Sequence, residues 1–225
     1  MLDNLKVICK EKPELHPVIK NIEILIVISC TRLKNIVPSS VLFENLEQLQ
    51  VYDCAGLEII MKSSTASSLQ KLRKLCIIGC EKIEEIIASD DENDASEIAF
   101  MKLEYLRLSN LPRLRSFCMG RHGFRFPLLR ELFVIDCPIM ETFSHGVLNT
   151  PNLREVHVND EDKDECHWNG DLNSTISKIV AKKDNQNSKD DYFVLKIWMM
   201  AQVDNSSLPL GVSTCFGCEA TTMNP

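Results

Sequence analysis

Apolar residues recur along this chain in one fixed pattern, L-x-x-L-x-L-x-x-C-x-x-L-x-x-L, where L stands for any aliphatic or aromatic residue. The clearest copy is LRKLCIIGCEKIEEI, residues 72–86. Other full copies start at Ile22, Leu46, Leu103 and Leu129, and a half-copy starts at Leu153. Measured between ninth positions, successive copies are 24, 26, 31 and 26 residues apart. A period of roughly 20–29 residues with this spacing is typical of leucine-rich repeats.

The spacing predicts one short strand in each repeat. In L-x-x-L-x-L the apolar side chains enter a core, while the residues between them face outward. The ninth residue is expected to turn the chain out of the strand, with its small side chain inside the bend donating to backbone carbonyls of a neighbouring coil. Because no coil buries its apolar face alone, neighbouring coils must stack. The predicted fold class is α/β: a leucine-rich-repeat solenoid with a curved parallel sheet on its concave face and an irregular or short-helical convex side.

The pattern divides the chain into three segments. Residues 1–161 are predicted to form about six coils, the first of them truncated, because Lys10 stands at its ninth position. No polar cap precedes that coil, so we expect the C-terminal part of a longer solenoid or a truncated gene product. Residues 162–183 are predicted to cap the last coil with a short helix whose apolar face is Leu172, Ile176, Ile179 and Val180. Residues 184–225 lack the repeat and are expected to be a weakly structured tail.

Polar segments interrupt the pattern on the return side of the coils. Ser63–Ser68, SSTASS, is expected to be a polar loop, and residues 89–97, SDDENDASE, a solvated acidic insertion. A partner-facing acidic patch is the alternative for the insertion. For the loop that carries Arg121, His122 and Arg125, scattered solvated side chains and a basic patch against an acidic partner are both compatible with the sequence.

A binding surface is the function that such repeats can carry. The third, fifth and seventh positions of the pattern face outward on every strand and together tile the concave face. They hold more apolar and aromatic residues than an idle solvent-facing sheet needs, and exposed apolar patches commonly mark partner sites. Strand propensity alone is the competing explanation. The predicted partner-binding residues are Ile26, Ile28, Tyr52, Ile78, Tyr105, Arg107, Phe133, Ile135 and His157.

Composition and charge narrow the function classes. A formal net charge of −7 argues against general affinity for nucleic acid or for an anionic membrane. Four of the ten cysteines already serve as ninth positions, and the N-terminal sequence has no apolar signal region, so a secreted disulfide framework is not favoured. The longest apolar run outside the repeats, residues 192–203, contains Lys196 and is too short to span a bilayer. We expect a cytoplasmic protein without a membrane span.

No catalytic, metal or cofactor site is predicted. Cys215 and Cys218 form a lone C-x-x-C pair, whereas a structural zinc site needs four ligands. Cys166 and His167 are sequence neighbours with nothing to orient them as nucleophile and base. The sequence contains neither the phosphate-loop motif nor the dinucleotide motif. We therefore expect a protein that is not an enzyme and that carries no cofactor.

Several segments resemble the C-terminal leucine-rich repeats of plant intracellular immune receptors. These segments are LRKLCIIGCEKIEEII, FMKLEYLRLSNLPRLRSFC, FPLLRELFVIDCPIMETFS, TPNLREVHV and ECHWNGDLNSTISKIV, which together cover about residues 20–182. The receptors are the coiled-coil, nucleotide-binding, leucine-rich-repeat disease-resistance proteins. The resemblance implies recognition of a pathogen effector or of a guarded host protein. It also implies that the repeats restrain a nucleotide-binding module, which is itself absent from this sequence.

Two alternative functions remain open from the sequence. One is a substrate-recruiting repeat array of a ubiquitin-ligase adaptor, which would carry an F-box ahead of the repeats. The other is an extracellular repeat inhibitor or receptor fragment, which would carry a signal peptide, disulfide caps and an L-x-G-x-I-P convex pattern. None of these features occurs in the sequence, so the immune-receptor repeat module is the preferred hypothesis.

Overall fold

A computed structural model describes residues 21–36, 42–91, 93–159, 166–183 and 212–215. In chain order the elements are β1 Ile24–Ile28, β2 Gln48–Tyr52, β3 Met61–Lys62, α1 Ser63–Ser68, β4 Lys74–Ile78, β5 Ile87–Ala88, β6 Glu97–Ala99, β7 Tyr105–Ser109, β8 Gly123–Arg125, β9 Glu131–Ile135, β10 Leu148–Asn149, β11 Val156–His157, β12 Cys166–His167, α2 Leu172–Lys183 and β13 Val212–Cys215.

The main sheet follows the repeats in order. Its eight strands run β12-β11-β9-β7-β4-β2-β1-β13, so each coil lies beside the next one in the sequence. All neighbours are parallel except β11 and β12, which are antiparallel. The register places equal template positions side by side; Leu49, for example, lies between Leu25 and Leu75. This confirms the predicted leucine-rich-repeat solenoid.

Side-chain burial alternates along β1 and β2 as the spacing predicts, whereas β4, β7 and β9 are also buried at the outward seventh position. β1 and β2 both show half-buried residues at the outward positions and buried residues between them. The buried columns contain the template residues, such as Val27, Val51 and Ile77, each fully buried in one continuous apolar core. Burying each such side chain contributes roughly 1.5–3 kcal/mol. Because both faces of every coil are needed for stacking, the accessible part of the sheet lies in the outward columns, although Cys76, Ile78, Ser109 and Ile135 in those columns are themselves buried.

The chain leaves each strand through a residue with a positive φ angle at the eighth template position. The angle lies between 50° and 68° at Ser29, Asp53, Gly79, Asn110 and Asp136. Gly, Asn and Asp tolerate this left-handed conformation better than other residues do. The amide at this position donates to a carbonyl of the next coil; the Gly79 N–H donates to Ser109 O at 3.0 Å. The eighth residue therefore makes the turn that the sequence analysis assigned to the ninth.

Two of the four ninth-position cysteines make the predicted hydrogen bonds to backbone carbonyls of a neighbouring coil, whereas Cys30 and Cys80 donate to a carbonyl of their own coil. The Cys54 thiol reaches Val27 O at 4.0 Å, and the Cys137 thiol reaches Leu108 O at 3.7 Å. Both are buried, whereas Cys30 in the first described coil is half-buried. These thiols thus add side-chain hydrogen bonds between neighbouring coils to those of the strand ladder.

The convex side is more regular than predicted. β3 pairs with β5, and β6, β8 and β10 form a second parallel sheet. Beneath it five phenylalanine rings cluster with centroids 4.6–6.5 Å apart: Phe100, Phe117, Phe124, Phe126 and Phe143. Rings at such separations attract one another beyond simple area burial. The cluster fills the interior between the two sheets in the last two full coils.

The prediction of a polar loop at Ser63–Ser68 is wrong, because this segment forms helix α1, in which Thr65 and Ala66 are buried. The cause lies in the next coil, where the Asp90 carboxylate accepts hydrogen bonds from Ser64 N at 2.8 Å and from Ser63 Oγ at 2.9 Å. An oxygen in this place satisfies amides that a helix start leaves open. The acidic insertion is exposed over most of its length, as expected, yet it is fastened to the previous coil.

The C-terminal cap has the predicted helix. Leu172, Ile176 and Ile179 are buried in the common core. One polar residue completes the cap: the Asn173 Oδ1 accepts from Phe143 N at 2.9 Å and from Ser144 N at 3.3 Å. In the preceding coils the corresponding amides donate to a carbonyl of the next coil, as Phe117 N does to Phe143 O. The Asn173 amide therefore stands in for the convex segment of the next coil, of which β11 is the strand.

Part of the C-terminal tail joins the main sheet. Val212–Cys215 forms β13, which pairs in parallel with β1. For these four residues the expected lack of structure does not hold; the rest of residues 184–225 lies outside the described residues, as does the first coil at residues 1–17. Among the described helices, none is long and apolar enough to cross a membrane.

Candidate partner-binding surface

The nine predicted partner-binding residues share one face of the main sheet, because the register aligns their template positions. Seven of them are half-buried: Ile26, Ile28, Tyr52, Tyr105, Arg107, Phe133 and His157. The other two are buried, with Ile78 only 5% and Ile135 only 8% exposed. Ile78 is flanked in register by Tyr52 and Ser109, which leave little of its side chain accessible. Direct contact with a partner through these two isoleucines is therefore not supported.

Aromatic side chains form a row across the C-terminal half of this face. The row consists of Tyr105, Phe133 and His157 on β7, β9 and β11. Ring centroids are 5.3 Å apart between Tyr105 and Phe133, and 4.6 Å apart between Phe133 and His157. Stacking fixes the side-chain orientations before any partner arrives, which lowers the entropy lost on binding. This aromatic row spans three neighbouring strands of the face.

Two cations border the aromatic row. The Lys74 Nζ lies 5.4 Å from the centre of the Tyr105 ring, and the Arg107 guanidinium carbon lies 5.5 Å from the centre of the Phe133 ring. Cations at such distances are attracted by the negative faces of aromatic rings, by about 0.5–1 kcal/mol at exposed sites. Both cations also act on the nearby Cys76 thiol, whose pKa burial nevertheless raises to about 11. Lys74 and Cys76 belong to the outward columns but were not among the predicted site residues.

Tyr52 belongs to a chain of polar side chains along β2, on the N-terminal half of the face. Its hydroxyl donates to Gln50 Oε1 at 2.6 Å, and Gln50 Nε2 donates to Gln48 Oε1 at 3.2 Å. Burial raises the pKa of the Tyr52 hydroxyl, and the nearby Cys76 thiol raises it further. The tyrosine therefore stays neutral at physiological pH and acts there as a hydrogen-bond donor.

Two carboxylates lie at the other border of the aromatic row. Glu131 and Glu155 are both exposed. They occupy the third template position of consecutive coils, since Leu132 pairs with Val156 one residue further on. Strands in a sheet are roughly 4.8 Å apart, so the two like charges are direct neighbours. The face thus carries cations at one border of the aromatic row and anions at the other.

Two of the three basic residues in the loop of residues 118–125 are engaged within the protein, whereas Arg121 is exposed. His122 is fully buried, with Nε2 2.9 Å from Ser89 Oγ and Nδ1 3.2 Å from Ser96 O. Arg125 is engaged in an ion pair, its Nε lying 3.2 Å from Glu97 Oε1. His122 therefore fastens the acidic insertion to the convex side, a role for which the sequence held no signal.

The seven cysteines whose side chains the structure describes are free thiols. Cys54 receives a hydrogen bond from Cys30, which lowers its pKa, but its hydrogen bond to Cys80 and its burial raise it more, to a net value of about 12. A thiol with a raised pKa remains protonated and is a poor nucleophile at neutral pH. Within the described part of the chain, no group of three or more His, Cys, Asp or Glu side chains could hold a metal ion.

Comparison with known proteins agrees with this architecture. The family profile of the leucine-rich repeats of RPS2-like plant disease resistance proteins matches residues 39–162, more than half of the chain. The disease resistance protein UNI of Arabidopsis thaliana is 26% identical over 134 residues, which are 57% of this chain and 14% of the relative. The probable disease resistance protein At4g14610 of the same plant is 30% identical over 124 residues, 42% of this chain and 17% of the relative.

The match thus spans less than a fifth of either relative. No solved structure matches the chain significantly. The repeat pattern, the parallel sheet and the family profile agree with one another over the same residues. This chain belongs to the leucine-rich-repeat family of RPS2-like plant disease resistance proteins.

Proposed function

We propose that this chain is the protein-recognition module of a plant disease-resistance receptor, and that its concave face binds either a pathogen effector or a host protein that the receptor guards. The observation that carries the proposal is the half-buried aromatic row of Tyr105, Phe133 and His157, ordered by stacking on the face that the coils leave uncovered. The membership of this chain in a family of plant disease resistance proteins gives the biological setting.

The aromatic row suits a protein partner. Interface aromatics commonly contribute about 2 kcal/mol or more to binding when a partner desolvates them. Tyr105 and Phe133 are not needed for coil stacking, which uses Leu106 and Leu132 on the opposite side of the same strands. The same strands therefore carry stability on one side and recognition on the other.

In a longer receptor the module would have a second partner within its own chain. Both relatives are several times longer than the region that they share with this sequence. We propose that the repeats contact and restrain a nucleotide-binding module until the ligand arrives, and that the protein works in the cytoplasm. Neither role requires a cofactor in the repeats themselves.

The test compares two triple variants of the chain. The first removes concave aromatic side chains: Tyr52→Ala, Tyr105→Ala and Phe133→Ala. The matched control removes apolar side chains that are 38–43% exposed at the turns between elements: Met101→Ala, Leu128→Ala and Ile139→Ala. Partners are captured from infected and uninfected plant tissue, identified by mass spectrometry, purified and titrated against each variant. Melting temperatures establish that both variants are folded.

The concave variant is expected to bind the purified partner at least tenfold more weakly, with a melting temperature within a few degrees of the parent. The control variant is expected to bind as the parent does. Equal binding by a folded concave variant would overturn the proposal. Capture of ubiquitin-ligase subunits by the parent chain would instead favour the adaptor function.

A further inference from the structure

The two borders of the aromatic row differ in how their charges are engaged. Lys74 and Arg107 already lie against the faces of Tyr105 and Phe133. Glu131 and Glu155 are exposed neighbours, and no ion pair to either carboxylate forms within the part of the chain that the structure describes. Like charges placed side by side on a sheet destabilise it. A cation between the two carboxylates would remove this repulsion.

Elsewhere in the described part of the chain, carboxylates pair with cations of neighbouring coils. Arg73 lies between Glu47 and Glu104, with its guanidinium 3.9 Å and 3.1 Å from their carboxylates. Lys34 likewise pairs with Glu58 across one coil step at 3.2 Å. Glu131 and Glu155 are one coil step apart, as Lys34 and Glu58 are, but both positions carry a carboxylate.

From this arrangement we propose that the partner of the concave face is a basic protein surface, from which an arginine or lysine side chain lies over the aromatic row and pairs with Glu131 and Glu155. This inference rests on the proposed function and specifies the chemistry of its ligand. The aliphatic stem of such a side chain packs along the edge of the Phe133 ring, whose faces Arg107 and His157 already contact, and its charge meets the two carboxylates. Arginine suits the site best, because its planar guanidinium both stacks on rings and binds two carboxylates at once.

The charge of the whole chain favours the same partner. A formal net charge of −7 attracts basic proteins over long distances and raises their association rate at low ionic strength. An acidic partner would have to approach Lys74 and Arg107 past this field and would lose their existing ring contacts. The overall charge therefore favours a basic partner, and the two exposed carboxylates are available to pair with it.

The test uses the full 225-residue chain as bait for a random peptide library displayed on phage, followed by titration of the strongest selected peptide. The selected peptides are expected to be enriched in Arg or Lys next to an aromatic or aliphatic residue. The double variant Glu131→Gln with Glu155→Gln is expected to bind the selected peptide about tenfold more weakly. The matched control is Glu81→Gln with Glu84→Gln, which changes the net charge equally at exposed positions after β4 and is expected to bind as the parent does.

Three outcomes separate this inference from the proposed function. Loss of binding in the Glu131/Glu155 variant and in Phe133→Ala supports both. Loss in Phe133→Ala with full binding in the Glu131/Glu155 variant overturns the basic-partner inference and leaves the concave site standing. Selected peptides without basic residues overturn the basic-partner inference. Full binding in both variants overturns it too, and also contradicts the concave site. Circular-dichroism melts confirm that each variant is folded.

Discussion

Asn173 offers the most direct test of how the solenoid ends. Its side chain makes four hydrogen bonds to the last full coil: Oδ1 accepts from Phe143 N at 2.9 Å, Ser144 N at 3.3 Å and Thr142 Oγ1 at 2.9 Å, and Nδ2 donates to Ser144 O at 2.9 Å. Asn173→Ala removes all four. Phe143 and Ser144 are fully buried, so their backbone groups lose their partners in the interior.

The size of the effect follows from that count. A buried polar group left without a partner costs roughly 1–3 kcal/mol. Thr142 and Asn173 themselves are half-buried, so water can reach part of the space that the Asn173 side chain leaves. The expected loss in the free energy of unfolding is therefore about 2–4 kcal/mol. Better helix propensity of alanine returns at most about 0.7 kcal/mol. For a domain of this size, the melting temperature is expected to fall by roughly 5–12 °C.

The assay combines thermal melts with amide hydrogen exchange. In Asn173→Ala, exchange should accelerate first at Phe143 and Ser144, because coils contact only their neighbours and the damage begins at the end of the stack. Asn173→Asp keeps the acceptor but loses the donor to Ser144 O, so an intermediate loss is expected. Asn152→Ala, which removes one exposed hydrogen bond to Pro127 O, is the control and should change little. An unchanged melting temperature with unchanged exchange at Phe143 and Ser144 would refute the capping role.

Three further predictions concern the turns, the thiols and the convex core. Gly79→Ala should destabilise the fold by about 1–3 kcal/mol in denaturant titrations, because φ is +68° there and the new Cβ would lie 2.4 Å from the Asp53 carboxylate. The control Ser29→Gly should be neutral or stabilising, and a Gly79→Ala variant as stable as the parent would contradict the prediction. Burial raises the pKa of Cys76 and Cys118 from 9.0 to about 11, so the folded state keeps protons that the unfolded state loses. The melting temperature should therefore fall as the pH rises from about 9 to about 11. A melting temperature that stays constant over that range would contradict this prediction. Phe117→Ala removes a ring that contacts four other phenylalanine rings and should cost about 3–5 kcal/mol in the same titrations; a cost below about 1 kcal/mol would mean that the cluster is not a packed core.

The sequence predicted the features that depend on repetition. The L-x-x-L-x-L spacing gave the strands, their register and the shared face of Tyr52, Tyr105 and Phe133, because each of these follows from the period of two along a strand and the stacking of coils. It also predicted the apolar face of helix α2, with Leu172 and Ile176 buried. The left-handed turn could have been found as well, since four of the five eighth-position residues are Asp, Asn or Gly.

Features that depend on one contact between distant residues were not predictable. Ser63–Ser68 reads as a loop on its own and becomes a helix through Asp90, which lies in the next coil. His122 reads as a solvated basic residue and is buried by Ser89 and Ser96 of the insertion. The burial of Ile78 likewise depends on its in-register neighbours, which the pattern identifies only as outward-facing. Local composition carries no information on such pairings.

Side-chain footprinting by hydroxyl radicals tests the central claim, that the concave face is the recognition surface. The full chain is oxidised alone and with its purified partner, and the modified residues are quantified by mass spectrometry. The account predicts that the partner protects Tyr52, Tyr105 and Phe133, whereas Met101 and Met119, exposed outside the main sheet, keep their reactivity. Protection of Met101 or Met119 with unchanged oxidation of the concave aromatic residues would contradict the claim.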